Sequence, residues 1–224
     1  MSLHEIKREY SPPYQLLSGI KWFDSNRQER ADLFTNKIID SMSQKITGIN
    51  CDFGSGHCEV LRTLTNRNSS KWVGVDIVNG ASRQKEKPEL IVYNGKKLPF
   101  INNVFDNTAA ISALHHIPDE ALRENVLPEV NRTIRPDGYF IVIEDYIGGQ
   151  KENPVLTKYI KSADTTMNIG VPGGHLMNQK TIKGWINLLS QYEFQLIKEP
   201  VIFRSKAAGI LPWANMLMVY KKQA

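Results

Sequence analysis

Three observations predict an α/β fold built on a mostly parallel sheet. Extended apolar runs alternate with helical patterns between residues 46 and 145, the arrangement that βαβ units require. The first run ends in Asp52-Phe53-Gly54-Ser55-Gly56, a glycine-punctuated stretch suited to a tight strand-to-helix reversal. Near the end of the alternation, Tyr139-Phe140-Ile141-Val142-Ile143 is almost continuously apolar, as a strand covered on both faces must be.

Composition sets the outer bounds. The 224 residues hold Lys+Arg 28 against Asp+Glu 23, a net charge of +5, with 41% hydrophobic and 23% charged residues. That is the balance of one globular domain, residues 1–224, with ample chain for a core. The basic residues are scattered, without arginine-rich runs or interleaved aromatics, so no nucleic-acid partner is expected. Cys51 and Cys58 show no metal-ligand spacing and form no disulfide framework; both are expected to be reduced and structural, with no metal. No apolar run reaches membrane-helix length and no signal-peptide core opens the chain. A cytoplasmic protein without a membrane partner is therefore expected, with monomer and homodimer both open.

The elements follow in order. Residues 1–25 read as an N-terminal arm, either packing its aromatics on the core or closing as a lid with Tyr14, Trp22 or Phe23 on a ligand. Ala31, Phe34, Ile38 and Met42 form one stripe of a helix over about 27–43. A strand over 46–53, a helix over 57–66 and a strand over 72–77 come next. Then follow a short run at 90–93, a strand over 106–112, a helix over about 119–134 and a strand over 139–145. Pro136-Asp137-Gly138 predicts a turn before that last strand. The pattern loosens over 147–178, which holds Gly173-Gly174-His175 and a short helical pattern over 155–163. Ile182, Trp185, Ile186 and Leu189, at i, i+3, i+4 and i+7, predict a helix over 181–190. Two extended runs, 194–203 and 215–220, suit an antiparallel pair at the sheet edge.

Around the glycine stretch the residues point to a nucleoside cofactor. The new helix offers unpaired N–H groups and a partial positive charge to an anionic ligand group. Twenty residues beyond Gly56, Asp76 ends the second strand, where a carboxylate suits a ribose diol. The third glycine of a dinucleotide loop would fall at Glu59, whose carboxylate repels a pyrophosphate. S-adenosylmethionine (SAM), which has no phosphate, tolerates it.

Asp52-Phe53-Gly54-Ser55-Gly56 resembles motif I of class I SAM-dependent methyltransferases. Leu98-Pro99-Phe100, Val104-Phe105-Asp106 and Leu114-His115-His116-Ile117-Pro118 resemble the small-molecule, methyltransferase type 11-like branch. Glu129-Val130-Asn131-Arg132 through Pro136-Asp137-Gly138 is similar to that branch's turn into strand five. The resemblance covers 46–145, which it makes the cofactor-binding core, with 147–178 as an acceptor-side insertion. It implies a Rossmann-like, doubly wound, mostly parallel seven-stranded sheet with the last strand antiparallel and helices on both faces. It also implies SAM as cofactor and S-adenosylhomocysteine (SAH) as product. Carried over, it makes Asp52, Phe53, Gly54, Ser55 and Gly56 cofactor-binding, with Gly54 and Gly56 lining the methionine part and Asp52 organising the loop. Asp76 goes to the ribose, Ile77 to the adenine, Asn94 and Gly95 to the adenine edge, and the backbone of Ala110 to the methionine ammonium. Cys58 stands at the family's third glycine and is expected to narrow the crevice; Asn94 replaces an acid, and Asn50 puts a polar group in an apolar strand.

Methyl transfer to a hydroxyl or amine needs a proton acceptor, and histidine suits neutral pH. His115 and His116, just past strand four, are the candidates for base or acceptor contact and are not separable by sequence; His175 is a third. Glu144 and Asp145 fall on the same rim, where a solvated carboxylate pair is expected, and His57 is expected to face solvent or the methionine end. Strand four ends Ala109-Ala110-Ile111-Ser112, without the Asn/Asp-Pro-Pro-Tyr/Phe pattern of DNA amino-methyltransferases. The expected reaction is methyl transfer from SAM to O or N of a small-molecule acceptor. The alternative is a catalytically silent relative that binds SAM or a partner. A nicotinamide oxidoreductase is disfavoured by Glu59 and by the absence of lysine four residues after Tyr159, where Ala163 stands.

Overall fold

The structure is a computed structural model and describes residues 21–42, 46–79, 88–146, 178–204 and 214–223. The arm over residues 1–20, most of the 147–178 stretch and His175 lie outside these residues. Eight strands form one sheet: β1 (Ile49–Phe53), β2 (Lys71–Asp76), β3 (Leu90–Val92), β4 (Phe105–Ile111), β5 (Ile134–Asp145), β6 (Phe194–Leu196), β7 (Val201–Phe203) and β8 (Asn215–Lys222). Their order is β3-β2-β1-β4-β5-β8-β6, with β7 also on β8. Strands β1 to β5 pair in parallel, and β8 runs antiparallel to β5, β6 and β7.

This is the expected doubly wound sheet with one of its seven strands in two pieces. β6 pairs with the end of β8 at Tyr220–Lys222 and β7 with its start at Asn215–Leu217. Pro200 lies between them and cannot donate to a ladder. The pairing of the last runs is thus antiparallel and at the sheet edge, as expected, with the divided strand outermost.

Two hydrophobic cores explain the apolar strands. On one face, Phe140 and Val142 pack with Leu122, Val126, Leu127 and Val130, and with Trp185, Leu188 and Leu189. On the other, Ile141 and Ile143 pack with Phe34, Ile38 and Met42, and with Leu61 and Leu64. Alternate residues of β5 therefore feed opposite layers. The helix α1 (Lys21–Met42) buries Ala31, Phe34, Ile38 and Met42, the expected stripe, and begins earlier than its periodicity showed. α2 (Glu59–Arg67) follows β1, and α4 (Ile182–Leu189) is capped by Thr181, whose hydroxyl accepts from the Gly184 amide at 3.1 Å. Between β4 and β5 a helical stretch α3 runs over 119–133, widening to a π-helix at Leu122–Val126. There the amide of Leu127 reaches the Leu122 carbonyl, five residues back, beside Pro128, which has no amide to donate.

Two local departures have physical causes. Pro136-Asp137-Gly138 does not precede the strand but bulges within it. From Phe105–Ile134 to Asn107–Tyr139, β4 advances two residues (107 − 105) while β5 advances five (139 − 134). Asp137 there has φ 64°, and a Cβ on Gly138 would stand 2.6 Å from the Asp106 carbonyl. Asn50, polar on a buried strand, lies opposite Asn107, whose Nδ2 donates to its Oδ1 at 2.7 Å. A cross-strand amide pair answers the desolvation of both.

Candidate functional site

The strand order reverses between β1 and β4, which leaves a crevice at their carboxyl ends, where α/β sheets bind ligands. The Gly54–Gly56 elbow forms one wall. Its first two amides, of Gly54 and Ser55, donate to the Val75 carbonyl at 2.8 and 3.2 Å, pinning it to β2. Gly54 has φ 70°, and a Cβ there would meet the Cβ of Ala113 at 2.5 Å. The elbow and the exit of β4 thus touch at a point where no side chain fits. Gly56, with φ 52°, has open space where its Cβ would be.

Asp76 closes the other side. Its Oδ2 accepts from the Gly56 amide at 2.8 Å and its Oδ1 from the Val78 amide at 3.1 Å. Burial pushes its pKa up, while those backbone amides pull it down. Asp52, buried on β1, is pushed to about 7 by burial and then by the charges of Asp76 and Glu59. Phe53 is buried, its ring 6.2 Å from that of Tyr93. Glu59, in the first turn of α2, pairs with Arg27 of α1 at 2.8 Å. The carboxylate that argues against a pyrophosphate thus also ties two helices together.

Cys58 is where the departure from the family pattern resolves. It holds φ 65° as the cap of α2, a conformation glycine favours. Its side chain is fully buried with Leu61 and Leu64, in the core under the sheet. Its Sγ lies 3.9 Å from Ser55 Oγ and 3.8 Å from the Gly56 carbonyl, against the elbow, and burial pushes its thiol to about 12. His57 is 8% exposed, which removes the solvent-facing one of its two expected placements.

Ile77 and Gly95 stand together: a Cβ on Gly95, at φ 77°, would lie 3.5 Å from Ile77 Cγ2. The Asn94 carbonyl, expected at the adenine edge, is occupied by the amides of Lys96 and Lys97 at 3.0 and 3.2 Å. That is an Asx-type turn holding its own loop. Ala110 is buried in the ladder, in register with Phe53 and Val142.

On the acceptor side the two histidines separate. His115 is buried, with Nδ1 against Glu144 Oε2 and Nε2 3.9 Å from Asp145 Oδ2. His116 is half-buried, its ring centroid 4.0 Å from that of His115. Burial and the neighbouring His115 lower its pKa to about 3, so it stays neutral at physiological pH. Glu144 and Asp145 are 1% and 4% exposed, which corrects the expectation of a solvated pair. Asp145 accepts from Asn215 at 3.0 Å and from Gln179 at 3.3 Å. Sequence reasoning missed Ala113, whose only signal is its small size, and the Glu144–His115 link, which spans 29 positions. Among the described residues, no His/Cys/Asp/Glu group is placed to hold a metal, and no helix is long and apolar enough to cross a membrane.

A Rossmann-like sheet with a glycine elbow and a carboxylate on the next strand suits a nucleoside cofactor, and the comparisons bear on which one. Residues 51–142 match the family model described as a methyltransferase domain. That stretch, less than half of the chain, is thus similar to a methyltransferase domain, a class of protein whose methyl donor is SAM. Among solved structures, YcgJ of Bacillus subtilis has a TM-score of 0.62 at 16% identity, covering 85% of this chain and 98% of that one. A SAM-dependent methyltransferase of Methanosarcina mazei gives 0.61 at 19%, covering 83% and 97%. The geranyl diphosphate C-methyltransferase of Streptomyces coelicolor, solved with Mg2+, geranyl diphosphate and SAH, gives 0.63 at 11%, covering 85% and 79%. At such identities these likenesses show the fold. A curated relative, the tRNA (carboxymethyluridine(34)-5-O)-methyltransferase of Arabidopsis thaliana, is 26% identical over 95 residues; that match covers 42% of this chain and 23% of the relative's length.

The residues fit SAM. The elbow leaves space at Gly56 beside a carboxylate, and Ile77 stands against Gly95 as an apolar partner for a base.

Proposed function

We propose that this chain transfers the methyl group of SAM to an oxygen or nitrogen of a small-molecule acceptor seated past the tips of β4 and β5. The observation that carries the reading is the junction of Gly56 and Asp76: an open backbone position and a carboxylate 2.8 Å apart across two strand ends. SAM supplies the electrophilic methyl on its sulfonium. Asp76 takes the ribose hydroxyls with its remaining lone pairs, Ile77 and Gly95 flank the adenine, and Gly54 and Gly56 leave room for the methionine part. Asp52 sits behind the elbow, and Asn94 acts by shaping the Gly95 turn. His116 contacts the acceptor, its buried Nδ1 having no hydrogen-bond partner among the described residues. A neutral imidazole of low pKa is a weak base, so alignment and exclusion of water supply most of the rate.

Thermal-shift titration with SAM, SAH and NAD tests the cofactor reading. A tenfold excess over Kd should add about 1.4 kcal/mol of stability for SAM and SAH and none for NAD. Stabilisation by NAD, or by none of the three, would overturn it. A second reading, a nucleoside within RNA as acceptor, is favoured by the 26% identity to the tRNA enzyme. Radiolabelled methyl transfer to total tRNA against a small-molecule extract separates the two. Transfer to neither, with SAM bound, would favour the catalytically silent alternative.

A further inference from the structure

The short 3-10 turn Leu114–His116 hangs from one carboxylate. Glu144 Oε1 accepts from the Leu114 amide at 2.8 Å, and Oε2 meets Nδ1 of the adjoining His115. A carboxylate facing Nδ1 selects the tautomer that carries its proton there and fixes the plane of the ring. The His115 ring in turn lies against His116 at 4.0 Å, with 49° between the planes. Behind it, the His115 carbonyl accepts from the Asn178 amide at 2.8 Å, where the chain re-enters the described residues. A hydroxyl would suffice to cap the Leu114 amide alone. A two-pronged side chain in the interior adds control of the ring, since its second oxygen meets Nδ1 of His115.

We propose that Glu144 is a positioning residue of the acceptor site: by gripping the Leu114 amide and Nδ1 of His115 together, it sets the turn that aims the His116 ring at the acceptor. This rests on the reading of His116 as an acceptor contact. Glu144 touches neither cofactor nor acceptor in this scheme and acts through His115.

The test is imidazole 15N NMR on the full chain, saturated first with SAH and then with SAM. The two ligands differ by one methyl and its charge, so a His116 signal that moves between them reports proximity to the transferred group. In the wild type, His115 should show the Nδ1-protonated pattern and His116 should respond to the exchange. Glu144→Gln should erase the His115 pattern and cut the His116 response by more than half, with SAH affinity little changed. His115→Asn places an amide donor where Nδ1 stood and should keep the His116 response, whereas His115→Phe should lose it. An undiminished response in Glu144→Gln overturns the proposal while the acceptor reading survives. If Glu144→Gln does not fold, equal responses in His115→Asn and His115→Phe overturn it. A wild-type His116 indifferent to the exchange instead removes the acceptor reading itself.

Discussion

Adding one methyl group at Gly54 should separate the two glycines of the elbow by mechanism. In Gly54→Ala the new Cβ meets the Cβ of Ala113 at 2.5 Å, about 1 Å or more inside ordinary carbon contact. Either β4's exit or the elbow must move, and the residue must hold φ 70° with a side chain. Overpacking of this kind costs about 1–3 kcal/mol, and the left-handed backbone about 1–2 more. Gly56→Ala has a similar φ but open space, so only the backbone cost of about 1–2 kcal/mol applies. Urea unfolding of both variants should therefore place Gly54→Ala about 1–3 kcal/mol below Gly56→Ala. Calorimetry with SAH should reverse the emphasis, with Gly56→Ala losing affinity because its methyl fills the cofactor's approach. The check on cause is the double variant. Ala113→Gly removes the opposing methyl and should return most of the overpacking cost to Gly54→Ala, a coupling of about 1–2 kcal/mol. Equal stabilities for the two single variants, or no coupling with Ala113→Gly, would refute the close approach on which the elbow depends.

Asp76→Ala removes the acceptor of both the Gly56 and Val78 amides, so SAH affinity should fall about tenfold or more, with about 1.5–3 kcal/mol lost in urea unfolding; unchanged affinity by calorimetry would detach Asp76 from the ribose. Asp52, raised from 3.8 to about 7, keeps its proton in the folded chain at pH values where the unfolded chain has lost it. The folded state then binds more protons, so this group's contribution makes stability fall as pH rises from about 4 to about 7. Asp52→Asn should flatten that slope in cofactor-free urea titrations, and an unchanged slope would contradict the shift. Lys222→Met leaves the carbonyls of Asn131 and Ile134, each 2.8 Å from the ammonium, without that donor and should cost about 1–3 kcal/mol in the same assay.

Local chemistry made much of the fold readable. The α1 stripe, the β5 run and the glycine elbow each declare themselves within a dozen residues, because periodicity and backbone freedom are properties of neighbours in sequence. The Pro136–Gly138 bulge was misread as a turn because proline and glycine mark a corner without saying whether pairing resumes on the same partner. That depends on Phe105 and Asn107, some thirty positions away. Sequence located the histidines but did not rank them, since burial of His115 depends on Glu144, set by packing of β4 beside β5. Asn94 was assigned to the ligand because its turn-forming bonds to Lys96 and Lys97 are equally open to any Asn-Gly pair. Asn50 looked anomalous only until the register brought Asn107 opposite.

The divided strand at the sheet's margin has a consequence for how copies of this chain meet. Ile197, Val201 and Ile202 are 38%, 41% and 48% exposed there, an apolar rim that would invite another backbone. Yet each half, Phe194–Leu196 and Val201–Phe203, offers three residues before Lys198-Glu199-Pro200 breaks the ladder. A foreign strand could zip onto either half only briefly before losing register. The interruption guards against fibre growth from this rim, and smoothing it, as in Pro200→Thr, should make concentrated samples seed one another.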